Sequence, residues 1–250
     1  MPPVRSSIQP LMMPLTCLIA IILFCGCALA QSDGDVRMNQ IQVIGTHNSY
    51  HSGFAPSAAK LWQQKNPKQF AGLDYRHPSL TSQLDAGVRQ IEIDIFADPK
   101  GGLYAHPYGE TLIAQAGLPA DPPFDPQHLM EKPGFKVMHV QDVDYRSVCE
   151  PFTACLAEVR TWSKAHPNHL PVFILVETKQ GALHVQFPTV TPENFTPAIF
   201  DALDREITSV FPTGETITPD DVRGSYATLN QAVLADRWPT LKEARGKVVF

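Results

Sequence analysis

The chain has 250 residues, of which 44% are hydrophobic and 18% are charged. This composition is typical of one sizeable globular domain and excludes a disordered or fibrous protein. The formal net charge of −5, with Lys and Arg dispersed along the chain, provides no basic surface for nucleic acid. We therefore expect no nucleic-acid partner, and no sequence feature implies a protein partner.

The first 30 residues have the pattern of a secretory signal peptide. Arg5 is their only charge, Leu15 to Leu29 is nearly all apolar, and polar residues follow Ala30. The uninterrupted apolar core is about 15 residues long, short of the roughly 20 that span a bilayer. We expect cleavage after Ala30, a secreted or periplasmic protein, and a single domain over residues 31–250. An uncleaved anchor and acylation at Cys27 are the alternatives.

Cys149 and Cys155 are the cysteines that follow the predicted signal peptide. A close pair in an exported protein is most simply a local disulfide. A zinc site is disfavoured, because no second Cys pair or nearby His pair completes it.

Apolar, β-branched runs predict five strands, and helical stretches lie between them. The predicted strands are Ile41–Gly45, Gln90–Phe96, Phe135–Val140, Pro171–Thr178 and Lys247–Phe250. The predicted helices include Ser79–Ala86, Cys155–Ala165 and Pro197–Val210. Strands that alternate with helices indicate a parallel sheet in an α/β fold. The Pro- and Gly-rich stretch Gly101–Gly134 is predicted to be a long loop.

The last predicted strand coincides with the end of the sequence at Phe250. An eight-stranded barrel usually needs about 250 residues or more, and only about five strands are predicted here. If the fold is such a barrel, we expect its closing strands beyond Phe250.

Polar residues lie at or near the ends of the first two predicted strands, where α/β barrels assemble their active sites. His47 and Asn48 follow the first strand, and a turn capped by Asn48 is the simpler interpretation. Glu92 and Asp94 alternate with isoleucines in the second strand and therefore share one face. A salt-bridge network through Arg89 or another arginine could satisfy them, but two buried carboxylates without partners favour a cation.

His139 and Glu177 end the third and fourth predicted strands. A packed core histidine and an isolated carboxylate are the simpler interpretations. The position of His139 opposite the first cluster favours catalysis, and Glu177 gains weight as one of four polar clusters at strand ends. An all-oxygen set of ligands suits Ca²⁺ or Mg²⁺ better than zinc, and it comprises Asn48, Glu92, Asp94 and Glu177. His47 and His139 could act as base and acid in metal-assisted attack on a phosphoryl group.

These motifs, in this order, resemble the X region of phosphoinositide-specific phospholipases C. The resemblance rests on Gly45–Tyr50, the Glu-x-Asp of 92–94, His139 and Pro171–Glu177. Residues 79–96, 135–146 and 218–224 extend it to the bacterial and fungal calcium-dependent subgroup. It implies a (β/α)8 TIM-type barrel, truncated here at its C-terminus.

The resemblance also implies a function and a set of site residues. The implied enzyme is exported and cleaves phosphatidylinositol-type phospholipids at a membrane surface to diacylglycerol and a (cyclic) inositol phosphate. The implied catalytic residues are His47 and His139, and the implied calcium ligands are Asn48, Glu92, Asp94 and Glu177.

Three alternatives stay open at the level of sequence. His106 follows Asp94 at about the spacing of the second histidine in the animal enzymes, whereas His139 better matches its strand-end setting. Glycerophosphodiester phosphodiesterases also pair a Glu-x-Asp with a following His, but they usually open with His-Arg-Gly where this chain has His47-Asn48-Ser49. A non-catalytic, headgroup-binding barrel is the third alternative.

Phe54, Trp62 and Phe70 are interpreted as helix-packing residues rather than as a lipid-facing rim.

Overall fold

The structure is a computed structural model and describes residues 32–250. The predicted signal peptide, its cleavage point and Cys27 lie outside the described residues. Within residues 32–250, no helix is both long enough and apolar enough to cross a membrane.

The described residues form one five-stranded sheet and the helices that precede or connect its strands. The helices are α1 (Pro56–Lys65), α2 (Pro67–Leu73), α3 (Leu80–Asp85), α4 (Tyr108–Gln115), α5 (Phe152–Ala165), α6 (Pro197–Val210), α7 (Pro219–Arg223), α8 (Leu229–Leu234) and α9 (Leu241–Ala244), with a 3-10 turn at Met38–Gln40. The strands are β1 (Gln90–Phe96), β2 (Lys136–Val137), β3 (Val172–Thr178), β4 (Thr216–Ile217) and β5 (Val248–Val249).

The three predicted helices are confirmed. The bounds of α6 match the prediction, and α3 begins after Ser79, whose hydroxyl accepts a hydrogen bond from the Ser82 N–H at 3.2 Å. Helix α5 begins three residues earlier than predicted, directly after Pro151. Helices α1 and α2 were missed, although each begins with a proline, which is favoured at the first helical position. Helix α4 lies within the stretch predicted to be a loop.

The sheet has the strand order β2-β1-β3-β5-β4, and every pair except β2 with β1 is parallel. Strand β1 has the predicted bounds and β3 is one residue shorter than predicted. The register places Glu92 beside Leu175 and Asp94 beside Glu177. Side chains at paired positions point to the same face of a sheet, so all four lie on one face.

Three predicted strands differ from the structure, and the last of them, Lys247–Phe250, is reduced to Val248–Val249. Ile41–Gly45 forms a single parallel bridge, between Gly45 and Gln90, instead of a continuous strand. Only Lys136–Val137 of the third predicted strand is paired, and it runs antiparallel to β1, so the prediction of a parallel strand was wrong here. The reason is that the preceding loop returns at the carboxyl end of β1, where the Gly134 N–H donates to the Asp98 carbonyl at 2.9 Å. The chain therefore enters β2 from that end.

The largest core cluster lies on one face of β1. Ile91, Ile93 and Ile95 are fully buried there. They share this cluster with Leu80 and Leu84 of α3 and with Phe152 and Leu156 of α5. Burying one such side chain stabilises the fold by about 1.5–3 kcal/mol. The isoleucines thereby fix the opposite face of β1 as the one that carries Glu92 and Asp94.

Two further predictions agree with the structure. Cys149 and Cys155 form a disulfide bond, which joins the start of α5 to the segment before it. Phe54 and Phe70 are buried, with ring centroids 5.7 Å apart, in a cluster with residues of α1, α2 and α4. Helix packing, rather than a lipid-facing rim, is therefore the role of these two rings.

The face of the sheet that carries the carboxylates also carries exposed apolar side chains. Leu175 is 54% exposed, and Phe173 lies on the same face beside Val249. The described strands form an open sheet, with β2 and β4 at its edges. We propose that further strands cover this face and complete the barrel, because an exposed apolar sheet face is costly in water.

Residues 31–250 produced alone should therefore bind a hydrophobic dye such as ANS. Leu175→Thr should lower the dye fluorescence more than Leu234→Thr does, because Leu234 is 80% exposed on the short helix α8 and an isolated surface leucine is normal. A cooperative melt together with background dye fluorescence would contradict the proposal that this face is normally covered.

Candidate active site

The loop that carries His47 and Asn48 is held against β1 by hydrogen bonds. The Ser49 N–H donates to the Glu92 carbonyl at 3.0 Å, and the Glu92 N–H donates to the Ser49 hydroxyl at 2.8 Å. Asn48 is buried and has a φ of 48°, a left-handed conformation that asparagine adopts more readily than most residues. These contacts place the loop beside the carboxylates of β1.

Two tyrosines fix the Asn48 side chain. Its amide nitrogen donates to the Tyr75 hydroxyl at 2.7 Å, and its Oδ1 accepts from the Tyr50 hydroxyl at 3.3 Å. Burial, with the nearby charge of Asp94, raises the pKa of Tyr50 far above its usual range, so this hydroxyl stays a neutral donor. Because Tyr50 interacts with both Asn48 and Asp94, the Asn48 amide oxygen lies next to the carboxylate cluster.

Glu92, Asp94 and Glu177 form that carboxylate cluster, in which one oxygen from each residue lies within 4.8 Å of the others. Glu92 and Asp94 are buried, whereas Glu177 is exposed. Burial raises the pKa of both Glu92 and Asp94, and the neighbouring carboxylates add to the effect. His47 acts in the opposite direction on Glu92, and Lys179 does so on Asp94. The cluster therefore has an excess of negative charge in a partly dry site.

The oxygens of Asp94 show that the cluster fits a hard cation. Both are buried and neither accepts a well-formed hydrogen bond. The Lys179 ammonium lies 3.1 Å from Asp94 Oδ2 and 3.0 Å from Glu177 Oε1. Arg89 does not form the salt-bridge network considered as an alternative, because its guanidinium donates to the carbonyls of Leu84 and Val88. Three carboxylates that share one ammonium, next to the oriented oxygen of Asn48, match the oxygen ligands that Ca²⁺ prefers.

A tight turn brings Asp144 back to His139. The Asp144 N–H donates to the Val140 carbonyl at 2.8 Å, and the His139 N–H donates to the Asp144 carbonyl at 3.2 Å. At the tip of the turn, Asp142 has a φ of 63°, and its carboxylate accepts from the backbone N–H groups of Tyr108 and Val190. The turn is thereby anchored to α4 and to a second loop.

Asp144 joins two imidazoles. Its Oδ2 lies 2.9 Å from His139 Nδ1, and both of its oxygens lie 2.8 Å from Nε2 of the buried His51. Burial tends to raise the pKa of Asp144, but the hydrogen bonds from His139 and His51 outweigh it and lower that pKa. An ionised Asp144 accepts the His139 Nδ1 proton, which leaves Nε2 as the atom that can exchange a proton.

The sequence analysis missed His51 and Asp144 as site residues. Both lie beside motifs that it used, since His51 follows Gly45–Tyr50 and Asp144 lies within residues 135–146. A carboxylate a few residues after a strand-end histidine was the available signal. Their contact depends on a turn and on a long-range approach, neither of which has a periodic pattern.

The predicted catalytic histidine His47 and the alternative His106 are both exposed to solvent. The His47 side chain is 73% exposed, and its Nε2 lies 3.7 Å from Glu92 Oε1. His106 is exposed in the turn that precedes α4. His139, in contrast, lines a cavity of about 410 Å³ together with Glu177, Lys179 and Gln141. The structure therefore brings the six predicted site residues to one end of the sheet.

The fold and the site together define an α/β protein in which a carboxylate cluster that could hold a metal ion lies near His47 and His139. The chain belongs to the Ca²⁺-dependent phosphoinositide phospholipase C family, whose model matches residues 36–250. No curated protein sequence matches the chain.

Two solved bacterial structures are similar to this chain. One is a calcium-dependent phosphoinositol-specific phospholipase C from the Gram-negative Pseudomonas sp., with 20% identity over 87% of this chain and 58% of that one, and a TM-score of 0.50. The other is a Ca²⁺-dependent phosphatidylinositol-specific phospholipase C from Streptomyces antibioticus, with 20% identity over 83% of this chain and 50% of that one, and a TM-score of 0.50.

These similarities show the fold, which is the barrel type of the phosphatidylinositol phosphodiesterases. The chain spans 50 to 58% of the length of the two solved structures. Calcium is the metal of the family.

Asp94→Asn should increase the free energy of unfolding of the calcium-free protein at pH 7. Burial raises the pKa of Asp94, so at pH 7 the folded protein either keeps a buried charge or takes up a proton, and both lower its stability. The asparagine amide is neutral and does not have this cost. The advantage should shrink as the pH falls towards about 4, where the unfolded carboxyl also becomes protonated.

Urea denaturation in excess chelator at several pH values measures the free energy of unfolding of Asp94→Asn and of the unmodified protein, with Asp201→Asn on the exposed side of α6 as the control. With saturating Ca²⁺ the unmodified protein should be the more stable of the two, because Asn supplies one neutral oxygen in place of a charged ligand. An advantage that grows on acidification would contradict the assigned direction of the pKa shift.

Proposed function

We propose that this protein is a calcium-dependent phosphodiesterase that cleaves phosphatidylinositol-type phospholipids to diacylglycerol and a (cyclic) inositol phosphate. The observation that carries the proposal is the cluster of three carboxylates, with Asp94 buried in it, beside the cavity that His139 lines. Family membership supports the same reaction class.

The proposed calcium ligands are Asn48, Glu92, Asp94 and Glu177. They come from the first loop, from β1 and from β3, so the site forms only when these three segments pack together. Ca²⁺ held by these residues would supply positive charge that stabilises the negative charge developing at the phosphoryl group and lowers the pKa of a hydroxyl group beside it. Tyr50 and Tyr75 hold the Asn48 oxygen in one orientation, which reduces the conformational entropy lost on binding.

The proposed general acid is His139. Asp144 holds its Nδ1, so the ring presents Nε2 to the leaving group and protonates the diacylglycerol oxygen as the bond from phosphorus to that oxygen breaks. His51 holds Asp144 from the other side and limits the rotation of its carboxylate. His51 and Asp144 are thus positioning residues for His139.

The proposed base is His47, whose Nε2 lies near Glu92. It takes the proton from the inositol hydroxyl adjacent to the phosphate, and that oxygen attacks phosphorus to give the cyclic product. The exposure of His47 fits a group that must meet a headgroup at a membrane surface. In hydrolysis of the cyclic product, His139 takes a proton from water, the water oxygen attacks phosphorus, and His47 protonates the inositol oxygen as its bond to phosphorus breaks.

The N-terminal pattern supports export. The proposed signal peptide ends at Ala30, and the disulfide between Cys149 and Cys155 is typical of an oxidising compartment. We therefore place the enzyme outside the cytoplasm, secreted or periplasmic, where it meets phospholipid substrate at a membrane surface.

Removal of calcium tests the proposed activity. Excess chelator should abolish cleavage of phosphatidylinositol in mixed vesicles, and Ca²⁺ should restore it better than Zn²⁺, because the ligand set contains only oxygen. Full turnover in chelator would contradict the calcium site. Faster turnover of a deacylated glycerophosphodiester would instead favour a glycerophosphodiester phosphodiesterase, and calcium binding without turnover of either substrate would indicate a headgroup-binding barrel.

His139→Ala and His47→Ala should each lower kcat by about 100-fold or more, the typical effect of losing a general acid or base. Circular dichroism should show that both variants stay folded, and His106→Ala is the matched control with unchanged kcat. If His106→Ala lowers kcat and His139→Ala leaves it unchanged, the general acid is His106 rather than His139.

A further inference from the structure

Lys179 occupies the junction between the carboxylate cluster and the adjacent cavity. Its backbone N–H donates to the Ile95 carbonyl at 2.9 Å, which fixes its main chain beside the end of β1. Its ammonium lies 3.1 Å from Asp94 Oδ2 and 3.0 Å from Glu177 Oε1. The same residue lines the cavity of about 410 Å³ that His139 also lines.

A calcium ion and the Lys179 ammonium compete for the same oxygens. An ammonium group offers only donors and satisfies carboxylates by hydrogen bonding and charge, whereas Ca²⁺ needs these oxygens as direct ligands. Two like charges at such short distances in a partly buried site repel strongly. Occupation of the cluster by Ca²⁺ therefore requires the ammonium to leave.

The cavity offers a place for the displaced ammonium. The lysine side chain has a flexible four-carbon stem, so the charge can move while the backbone stays bonded to Ile95. The opposite wall is fixed, because Gln141 is buried and its Nε2 donates to the Gly181 carbonyl at 3.0 Å. An ammonium placed between His139 and this wall therefore lies beside the proposed general acid.

We propose that Lys179 exchanges places with Ca²⁺. In the calcium-free protein it neutralises Asp94 and Glu177; when Ca²⁺ binds, its ammonium turns into the cavity and binds the phosphate of the substrate. The inference rests on the proposed function, since it requires the carboxylate cluster to be the calcium site. It adds a substrate-binding residue that is available only after the metal has bound.

The exchange has a measurable effect on calcium affinity. If the ammonium occupies the cluster for about nine tenths of the time, the apparent affinity for Ca²⁺ is about tenfold below the intrinsic one. Removing the ammonium should therefore tighten calcium binding, although the substitution removes a favourable ion pair. A residue whose only role was to support the site would have the opposite effect.

Calorimetric titration of the full-length protein with Ca²⁺ tests the first half of the proposal. Lys179→Met should bind Ca²⁺ about tenfold more tightly than the unmodified protein, and Lys179→Arg, which keeps the charge, should not. The matched control is Lys164→Met, because Lys164 pairs with Glu215 at 2.8 Å on the outside of α5 and should leave the affinity unchanged. Unchanged or weaker binding by Lys179→Met would overturn the exchange.

Asp94→Asn separates this inference from the proposed function. If that variant binds Ca²⁺ as tightly as the unmodified protein, the calcium site itself is misplaced and both proposals fail. If it loses binding while Lys179→Met leaves the affinity unchanged, only the exchange is wrong.

Binding of myo-inositol 1-phosphate to the calcium-saturated protein tests the second half. Lys179→Met should weaken this binding about tenfold and raise KM for phosphatidylinositol with a much smaller change in kcat, as for a group that binds ground state and transition state alike. Equal affinity in the variant would overturn the role in phosphate binding. Should the variant fold poorly, the NMR signals of the Lys179 side chain in the unmodified protein decide the matter, since they must shift when Ca²⁺ is added if the exchange occurs.

Discussion

The site depends on the alternation of side chains along β1. Three isoleucines bury one face of the strand against α3 and α5, so Glu92 and Asp94 can only project from the other face. A shift of one residue in the register would place the carboxylates in the core, which would cost far more than the site gains. The hydrophobic core therefore fixes the position of the carboxylates more firmly than any contact within the site.

The histidines are positioned by a different kind of interaction. His139 is held by the buried Asp144, which a tight turn and a second buried histidine keep in place. His47 has no comparable support and is largely exposed. One end of the site is thus preorganised by a hydrogen-bonded network, whereas the other end is open to solvent. This asymmetry agrees with the roles proposed for the two histidines, a general acid for His139 and a base for His47.

The parts of the fold that were predictable are those with a periodic pattern. Strand β1 and helix α6 have the predicted bounds, because each has apolar residues at the spacing of its own secondary structure, and those residues pack in the largest core cluster. Strand β4 is two residues long and gives no periodicity, and the direction of β2 depends on where a long loop returns. Within the site, the carboxylates could be predicted from alternation, but the pairing of His51 with Asp144 spans 93 positions and depends on tertiary structure. Lys179 was missed because a lysine after a strand-end glutamate is common on protein surfaces.

The antiparallel direction of β2 has a consequence for the way such sites diversify. His139 reaches the site after an excursion that leaves the carboxyl end of β1 and returns to the same end. Residues can be inserted or deleted in the parts of the excursion that do not contact the turn around Asp142, without altering the strands. A sequence pattern with a fixed gap at this point would overlook such chains, whereas a template built on the spatial neighbours of Glu177 would still recognise them.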